Sequence, residues 1–384
     1  MRCWQTKQLG EVLQLNYGKG LSVQERPPGS IPVYESNGVV GFHNSALVQG
    51  PVVIDDRKAS TVEVHLCSGA SYPKDTTYYI RPQDGPGGDI EFLDYLLMHL
   101  DLQRSKGEVG VPGLNREMAC FEPVSQHSGI PEQKAIAHTL STAQRASDTQ
   151  EPMIQTSTEL KKALMQKLFT EGLRGEPQKE TEIGLVPEGW GVMELADITQ
   201  MERGKFSHLP RNDPRFYGGE HPLVQTGDVS NCDGHIRSYM QSLNDAGLAI
   251  SKMFPAGSIL ITIAANFGFT GILEYDAACP DSLTGIRSSE HINSEFLNHY
   301  LSTQQEIMNR LAPKGTQKYI ILQFLRIWPS PVSPLEDQRL NAIDLLTIDH
   351  KIRYAELKSS LLQQLFRFCM GGLISSELHF TSSD

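Results

Sequence analysis

The sequence predicts an α+β protein with an internal repeat, in which each of two units has a strand-rich part followed by one long helix. Three observations indicate this arrangement. A helical phrase occurs twice, as ELKKALMQKLF at 159–169 and ELKSSLLQQLF at 356–366, with seven of eleven positions identical. Other landmarks recur in the same order along the 384 residues. In both halves, β-branched runs punctuated by glycine and proline precede helical periodicity.

The recurring landmarks keep their order while the distance between copies drifts from 186 to 205 positions. The pairs, first copy then second, are Trp4/Trp190, Leu9/Leu195, Gly18/Gly204, Lys19/Lys205, Phe92/Phe296, Leu93/Leu297 and Gln133/Gln338. Ordered matches with drifting offsets are typical of a duplication followed by insertions. We therefore expect two units of about 190 residues with a pseudo-twofold relationship.

Each unit has the same predicted order of elements. Strands are predicted at 30–34, 50–54 and 76–80 in the first unit and at 222–225, 258–264 and 271–275 in the second. A short helix follows at 90–100 or 294–301. Long helices are then predicted at 131–171 and 334–370, because proline precedes and glycine follows each of them.

The long helices carry apolar residues at three- and four-residue steps, as in Leu345, Ile348, Ile352 and Ala355. Such a narrow stripe favours pairing between the two helices, antiparallel and coiled-coil-like, although packing of each helix on its own domain is the alternative. Pro152 is expected to kink or interrupt the first helix. A helix of ~40 residues is about 60 Å long, so it is expected to hold the two strand-rich parts well apart.

Composition narrows the class of protein. The net charge is −11 without a basic tail, which argues against a protein that simply coats DNA. The six cysteines form no C-x-x-C pair, so reduced thiols are expected. We expect a cytoplasmic protein without a membrane segment, because the sequence has neither a signal peptide nor a sufficiently long apolar run.

Catalytic and cofactor motifs are absent from the sequence. Neither Gly18-Lys19 nor Gly204-Lys205 completes a P-loop, because the lysine is followed by Gly20 or Phe206 instead of Ser or Thr. The twelve histidines lack zinc-binding spacing, and no G-x-S-x-G nucleophile elbow occurs. The sequence therefore predicts a binding protein with no catalytic, metal or cofactor site.

The chain resembles the specificity subunit of type I restriction–modification systems over nearly its whole length. The segments that carry the resemblance are IPVYESNGVVGFHN (31–44), VVIDDRKAS (52–60), YPKDTTYYI (72–80), VPGLNR (111–116), TEIGLVPEGWGVMELADI (181–198), PLVQTGDV (222–229), FPAGSILITIAANFGFTGI (254–272), CPDSLTGI (279–286) and GTQKYI (315–320). The chain departs from the family pattern at Asp55-Asp56, whose charge is unsuited to a phosphate contact, and at Pro152.

The resemblance implies two mixed, strand-rich target recognition domains joined by two long antiparallel helices. The expected boundaries are 1–128 for the first recognition domain, 129–176 for the central spacer helix, 177–332 for the second recognition domain, 333–376 for the C-terminal spacer helix and 377–384 for a tail. Each domain is expected to read one half of a bipartite double-stranded DNA site. The helices are expected to dock two methyltransferase subunits, and restriction–translocase subunits to join them. S-adenosylmethionine, ATP and Mg are expected on those partners, with no cofactor on this chain.

Loop residues with long donors or amides near the repeated landmarks are the DNA-contact candidates, because such groups bind phosphates or base edges. They are Lys19, Arg57, Lys58, Thr76, Asn115, Arg116, Arg203, Lys205, Asn266, Lys314, Thr316, Gln317 and Lys318. The leucines expected to line the helix-pairing and partner-docking seam are Leu160, Leu164, Leu168, Leu357, Leu361 and Leu365. The alternative functions are a scaffold with two β-rich modules that bind protein, and an enzyme with an unfamiliar site.

Overall fold

The computed structural model divides the chain into two compact units. One consists of Met1–Glu151 with Leu357–Asp384, and the other is Pro152–Glu356. The structure describes residues 4–36, 38–56, 64–83, 88–100, 102, 114–127, 129–206, 213–264, 267–311 and 318–375. Within these residues, no helix combines the length and apolar character that crossing a membrane requires.

The first unit contains nine strands and, before the C-terminal segment, four helices among its described residues. The strands are β1 (Trp4–Gln8), β2 (Leu13–Tyr17), β3 (Ile31–Glu35), β4 (Gly38–His43), β5 (Val52–Asp56), β6 (Val64–Cys67), β7 (Tyr72–Pro73), β8 (Thr77–Pro82) and β9 (Pro123–His127). The helices are α1 (Leu9–Val12), α2 (Ile90–His99), α3 (Arg116–Cys120) and α4 (Ile130–Asp148).

The second unit repeats this order and begins with an additional hairpin. Its strands are β10 (Gln178–Thr181), β11 (Gly184–Pro187), β12 (Gly191–Glu194), β13 (Thr199–Arg203), β14 (Tyr217–Leu223), β15 (His235–Ile236), β16 (Gln241–Leu243), β17 (Met253–Phe254), β18 (Ile259–Thr262), β19 (Thr270–Leu273), β20 (Ala277–Ala278), β21 (Leu283–Ser288) and β22 (Pro329–Val332). The helices are α5 (Gln150–Glu171), α6 (Leu195–Ile198), α7 (Thr226–Ser230), α8 (Asp245–Ala249), α9 (Ser294–Leu311), α10 (Lys318–Arg326) and α11 (Leu335–Ile374), whose C-terminal half belongs to the first unit.

Strand pairing confirms the predicted internal repeat. In each unit, the first strand of the repeat pairs antiparallel with the strand before the long helix, β1 with β9 and β12 with β22. The larger sheet has the order β2-β8-β5-β6 in the first unit and β13-β21-β18-β19-β15 in the second. The smaller sheets are β4-β3-β7 and β16-β14-β20-β17, and each contains one parallel pair. The strand-rich parts are therefore mixed, as predicted.

The core of the first unit lies between α2 and the larger sheet. Phe92 and Leu96 of α2 are buried in one apolar cluster with Leu13 and Ile80 of the sheet. The strand residues face the helix together because alternate residues of a strand point to the same side of the sheet. Leu373 and Ile374, at the end of α11, belong to the same apolar cluster. Burial of these two residues explains why α11 continues past Gly371-Gly372, where the sequence predicted its end, since packing outweighs the low helix propensity of glycine.

The second unit is held by aromatic contacts between α5 and α9. The ring of Phe169 lies 5.2 Å from that of Phe296 and 5.5 Å from that of Tyr300, centroid to centroid. In this unit α5 and α11 run antiparallel, since Lys161 pairs with Asp349 (2.5 Å). Arg174, just beyond α5, lies 3.6 Å from Asp337, nearer the start of α11.

The first long helical segment is interrupted, as the sequence predicted, but the break lies before the proline. Helix α4 ends at Asp148 and α5 begins at Gln150, with Thr149 between them. The ring of Pro152 conflicts with the carbonyl four residues earlier, at position 148, and its nitrogen cannot donate to that carbonyl. α9 also extends ten residues beyond its predicted end, with Met308 buried in the core of the second unit.

Candidate nucleic-acid interface

A Gly-Lys turn follows the first strand of the larger sheet in the first unit. The backbone N–H of Gly18 donates to the carbonyl of Thr77 (3.2 Å), and that of Lys19 donates to the carbonyl of Pro73 (3.1 Å). A Cβ on Gly18 would lie 2.0 Å from the carbonyl oxygen of Lys74. Only glycine fits so close to another backbone segment.

The second unit contains the same turn at the same place. The N–H of Gly204 donates to the carbonyl of Leu283 (2.9 Å), and that of Lys205 donates to the carbonyl of Cys279 (3.0 Å). A Cβ on Gly204 would lie 2.3 Å from the carbonyl oxygen of Pro280. The glycine of the repeated pair is thus required by packing, and the lysine is the member whose side chain extends from the turn.

Lys19 and Lys205 are both exposed. Among the residues that the structure describes, neither side chain has a hydrogen bond or ion pair, while their backbone amides are fixed. Each unit therefore presents one cation from a rigid turn, in a form available to an external anion.

Other predicted residues have structural roles. Asn115 caps α3, since its Oδ1 accepts from the N–H groups of Glu117 (2.9 Å) and Met118 (3.2 Å). Arg116 is exposed, and its guanidinium lies 5.0 Å from the ring centroid of Tyr17. Thr76 is half-buried, so its hydroxyl is poorly placed for contact with a large partner.

Arg203 is held by Asp281 on the opposite side of the Gly204 turn. Its Nη2 lies 2.7 Å from the Asp281 carboxylate, and its Nε donates to the Asp281 carbonyl at 2.8 Å. This two-point contact occupies the guanidinium, so we assign Arg203 to stabilising the turn.

The remaining candidates are not located by the structure. Those outside the described residues are Arg57, Lys58, Asn266, Lys314, Thr316 and Gln317. Lys318 begins α10, and the structure fixes only its backbone. Their roles therefore stay predictions.

Two buried glutamines have a role that the sequence prediction missed. The Oε1 of Gln133 accepts from the N–H of Asp89 (2.7 Å), which is the N-cap of α2. In the second unit the Oε1 of Gln338 accepts from the N–H of Asn293 (2.7 Å), just before α9. The repeated Glu-Gln and Asp-Gln phrases signalled these contacts, which fix each short helix to the start of the long helix behind it.

The junction of α4 with α2 in the first unit differs in chemistry from the junction of α11 with α9 in the second. In the second unit, burial lowers the pKa of His299 to about 3, and its Nε2 lies 3.8 Å from Asp349. The pKa of Asp349 is raised, because the effect of burial exceeds the opposing effect of its ion pair with Lys161. At the matching place in the first unit, the hydroxyl of Tyr95 donates to Gln144 (3.0 Å), a contact between neutral groups.

The six predicted seam leucines have different surroundings, so they do not all suit helix pairing, while their partner-docking role stays a prediction. Leu164 and Leu168 pack against the core of the second unit. The other four are at least half exposed: Leu160, Leu357, Leu361 and Leu365.

On α11, the exposure of these leucines follows from the helical periodicity. The inward face is the predicted stripe of Leu345, Ile348 and Ala355. Leu357 follows Ala355 by two residues, which turns it about 200° around the helix axis. The exposed face continues through Leu361 to Phe368, which is 66% exposed. The sequence thus identified the buried stripe but assigned the outer leucines to the wrong face.

Within the described part of the chain, no group of three or more His, Cys, Asp or Glu side chains is placed to hold a metal ion. The structure instead has two exposed lysines, Lys19 and Lys205, on repeated turns, and an exposed apolar face on α11.

Comparison with known proteins finds a matching family model and similar proteins. A family model described as the type I restriction modification DNA specificity domain matches residues 187–364. The chain is 26% identical over 294 residues to a protein of Methanocaldococcus jannaschii assigned as the MjaX specificity subunit of a type I restriction enzyme, covering 75% of this chain and 68% of that protein. It is also 26% identical over 305 residues to the MjaVIII specificity subunit of the same organism, covering 74% and 70%.

The fold is also that of a solved specificity subunit. The crystal structure of the type I restriction–modification system S subunit from M. genitalium matches with a TM-score of 0.68 and 15% identity, covering 98% of this chain and 97% of that one. This likeness extends the shared fold to the first unit, beyond the residues that the family model matches. The chain is therefore similar, over about three quarters of its length, to specificity subunits of type I restriction enzymes, and residues 187–364 match the DNA specificity domain of these systems.

Proposed function

We propose that this chain is the non-catalytic DNA-recognition subunit of a type I restriction–modification complex. Each strand-rich part reads one half of a bipartite double-stranded site, and the long helices fix the spacing between the halves. The observation that carries the proposal is the repeated turn that presents Lys19 in one unit and Lys205 in the other. Two copies of one anion-binding feature suit a ligand that presents the same backbone at two places.

The chemistry is expected to belong to partner subunits. Two methyltransferase subunits would hold S-adenosylmethionine and methylate adenine, and restriction–translocase subunits would use ATP and Mg. The absence of catalytic motifs from the sequence supports this division of roles. The net charge of −11 is compatible with DNA binding if basic partner surfaces share the contact with phosphates.

Methyltransferase docking is supported by the exposed face of α11. Its C-terminal half carries Leu357, Leu361, Leu365 and Phe368 with at least half of each side chain exposed. Apolar residues exposed at three- and four-residue steps are the pattern by which one helix docks against a partner. We therefore keep the predicted contact with a methyltransferase for the outer leucines and drop their pairing within the chain.

Co-expression with its cognate methyltransferase subunit tests the proposed function. We expect adenine methylation at one split sequence motif, detected by long-read sequencing of host DNA. Lys19→Ala and Lys205→Ala should each weaken DNA binding by the assembled complex, whereas Lys205→Arg, which keeps the charge, should retain it. An unmethylated genome despite an assembled complex and an active methyltransferase would refute the proposal.

Docking is tested separately with a charge placed on the exposed face. Leu361→Glu should abolish copurification with the methyltransferase without unfolding the chain. Gln363→Glu adds the same charge to the same helix at a position two residues further on, so it should assemble normally. Assembly of the Leu361→Glu chain at wild-type affinity would exclude this face as the docking site.

A further inference from the structure

Two clefts occupy matching positions in the two units. The first, of about 510 Å³, lies beside β2, and the second, of about 310 Å³, lies beside β13. The lining positions that match at an offset of 186 include Gln14/Gln200, Leu15/Met201 and Asn16/Glu202. The duplicated fold has therefore kept an open cleft at the same place in both copies.

At each cleft, the outward face of the sheet carries the same pair of side chains, one on the strand that lines the cleft and one on the strand beside it. Leu15 and Met201 are buried, so strand alternation turns Gln14 and Gln200 away from the core. Across the sheet, Gln14 is paired in register with Arg81 and Gln200 with Arg287. Both arginines are exposed. A glutamine on the strand that leads into the Gly-Lys turn thus faces an arginine on the neighbouring strand in each unit.

The second cleft has an excess of positive charge. Glu202 is its one acidic lining residue within the described part of the chain. Lys252 lies 2.8 Å and Arg287 3.7 Å from the Glu202 carboxylate, and Arg326 lines the same cleft. The hydrogen bond from Lys252, with the nearby Arg287, lowers the pKa of Glu202, as expected beside several cations. Two cations therefore lie beside the Glu202 carboxylate and a third lines the same cleft, on a chain whose net charge is −11.

The first cleft has one cation and one anion in its lining within the described part of the chain, and a second arginine stands beside that lining. Arg116 and Glu117 line it, and Arg81 stands opposite Gln14. Both arginines are held in place: Arg81 donates to the carbonyl of Gln49 (2.8 Å), and Arg116 stacks on an aromatic ring. Preorganised guanidinium groups lose less entropy on binding an anion than mobile ones do.

We propose that these two clefts bind backbone phosphates of the DNA flanking each half-site, with Arg287 and Arg326 as the contacts in the second unit and Arg81 and Arg116 in the first. This inference rests on the proposed function. Its argument is the repeat itself: two readers of different half-sites differ in their base contacts, whereas the phosphate backbone is the same for both. A basic feature kept in both units therefore fits the part of the ligand that does not vary.

The salt dependence of DNA binding tests the second cleft. The probe is the chain assembled with its methyltransferase, titrated with a cognate duplex and with a duplex whose recognition bases are scrambled. Arg287→Gln with Arg326→Gln should lower the slope of log affinity against log salt by about 2, because each lost phosphate contact removes about 0.9 from that slope. Affinity should fall by the same factor for both duplexes.

Two controls separate charge loss from structural damage. Arg287→Lys with Arg326→Lys keeps the charge and should restore the slope. Arg215→Gln removes an exposed arginine that is bound to Asp213 and lies outside both clefts, so it should leave the slope unchanged. An unaltered slope in the double glutamine variant, or a loss confined to the cognate duplex, would overturn the phosphate assignment.

A result that refutes the proposed function can be distinguished from one that refutes only the phosphate assignment. If the wild-type complex bound cognate and scrambled duplexes equally well, the recognition role would be refuted together with this inference. If wild type discriminates and the double glutamine variant loses methyltransferase assembly instead of DNA affinity, the cleft is a docking surface and the phosphate assignment is wrong.

Discussion

Asp94 lies on α2 with 5% of its surface exposed, and its Oδ1 has no hydrogen-bond partner among the described residues. Burial, and secondarily the charge of Glu91, raises the pKa of Asp94 from 3.8 to about 7. The matching residue of the second unit is Asn298, whose Nδ2 donates to the carbonyl of Gly234 (3.2 Å). Asparagine is therefore accommodated at this position of the repeat, and it carries no charge to desolvate.

We expect Asp94→Asn to stabilise the first unit at neutral pH. Because the folded pKa lies above the unfolded one, the penalty for the charged form is absent below pH 3.8 and grows until about pH 7. The full shift corresponds to about 4 kcal/mol. We expect about 2 kcal/mol to be gained at pH 7.5, since the asparagine amide also loses hydration on burial.

Hydrogen exchange of the α2 amides measures this gain in the first unit alone. Protection in Asp94→Asn should exceed wild type by about 2 kcal/mol at pH 7.5 and fall below it by about 1 kcal/mol at pH 4.5, where only about 1 kcal/mol of the carboxylate penalty offsets the amide cost of about 2 kcal/mol. The reverse change, Asn298→Asp, should destabilise α9 at neutral pH. An equal effect of Asp94→Asn at both pH values would refute the assignment to carboxylate desolvation.

Three further predictions concern the repeat and the helix junctions. Gly204→Ala should lower stability by about 2–4 kcal/mol in denaturant unfolding, because its Cβ meets a backbone carbonyl at 2.3 Å; a neutral effect would exclude the close approach. Gln133→Ala should cost about 1–3 kcal/mol by leaving the N–H of Asp89 without its acceptor, read out as loss of exchange protection at the start of α2. The folded pKa of His299, about 3, lies below its unfolded value, so its contribution to stability is complete above pH 6.5 and is lost as pH falls: about 2 kcal/mol by pH 5. Unfolding measured from pH 8 to 5 should show this loss, and His299→Gln should remove it; a wild-type slope in that variant would assign the loss to another group.

Local sequence patterns predicted the secondary structure and the repeat well. The short helix at 90–100 and the long helix at 334–370 correspond to α2 and α11 because their apolar spacing and flanking prolines are local signals. The inward stripe through Leu345 and Ile348 was also correct, since one helical period fixes which residues share a face.

The same local reasoning failed where a distant partner decides the outcome. Arg203 and Lys205 are both basic residues next to one glycine, and the sequence cannot separate them. The structure does, because Asp281, 78 residues away along the chain, binds Arg203, while Lys205 has no partner among the described residues. Asn115 and the outer leucines of α11 are comparable cases, in which a cap contact or a rotation around the helix determined the role.

By itself the sequence determined that the chain repeats one strand-rich unit with a long helix, because periodicity, glycine and proline act through the local backbone. Only the tertiary structure decided which repeated residues are available to a ligand. Gly18 and Gly204 are retained because a backbone carbonyl approaches each within 2.3 Å of where a Cβ would stand, whereas Lys19 and Lys205 are left exposed. The phrase repeated on the long helices divides in the same way: Phe169 and Phe366 contact the aromatic residues of α9 and α2, while Leu357, Leu361 and Leu365 face outward. Such assignments depend on contacts between residues far apart in sequence, which no local pattern encodes.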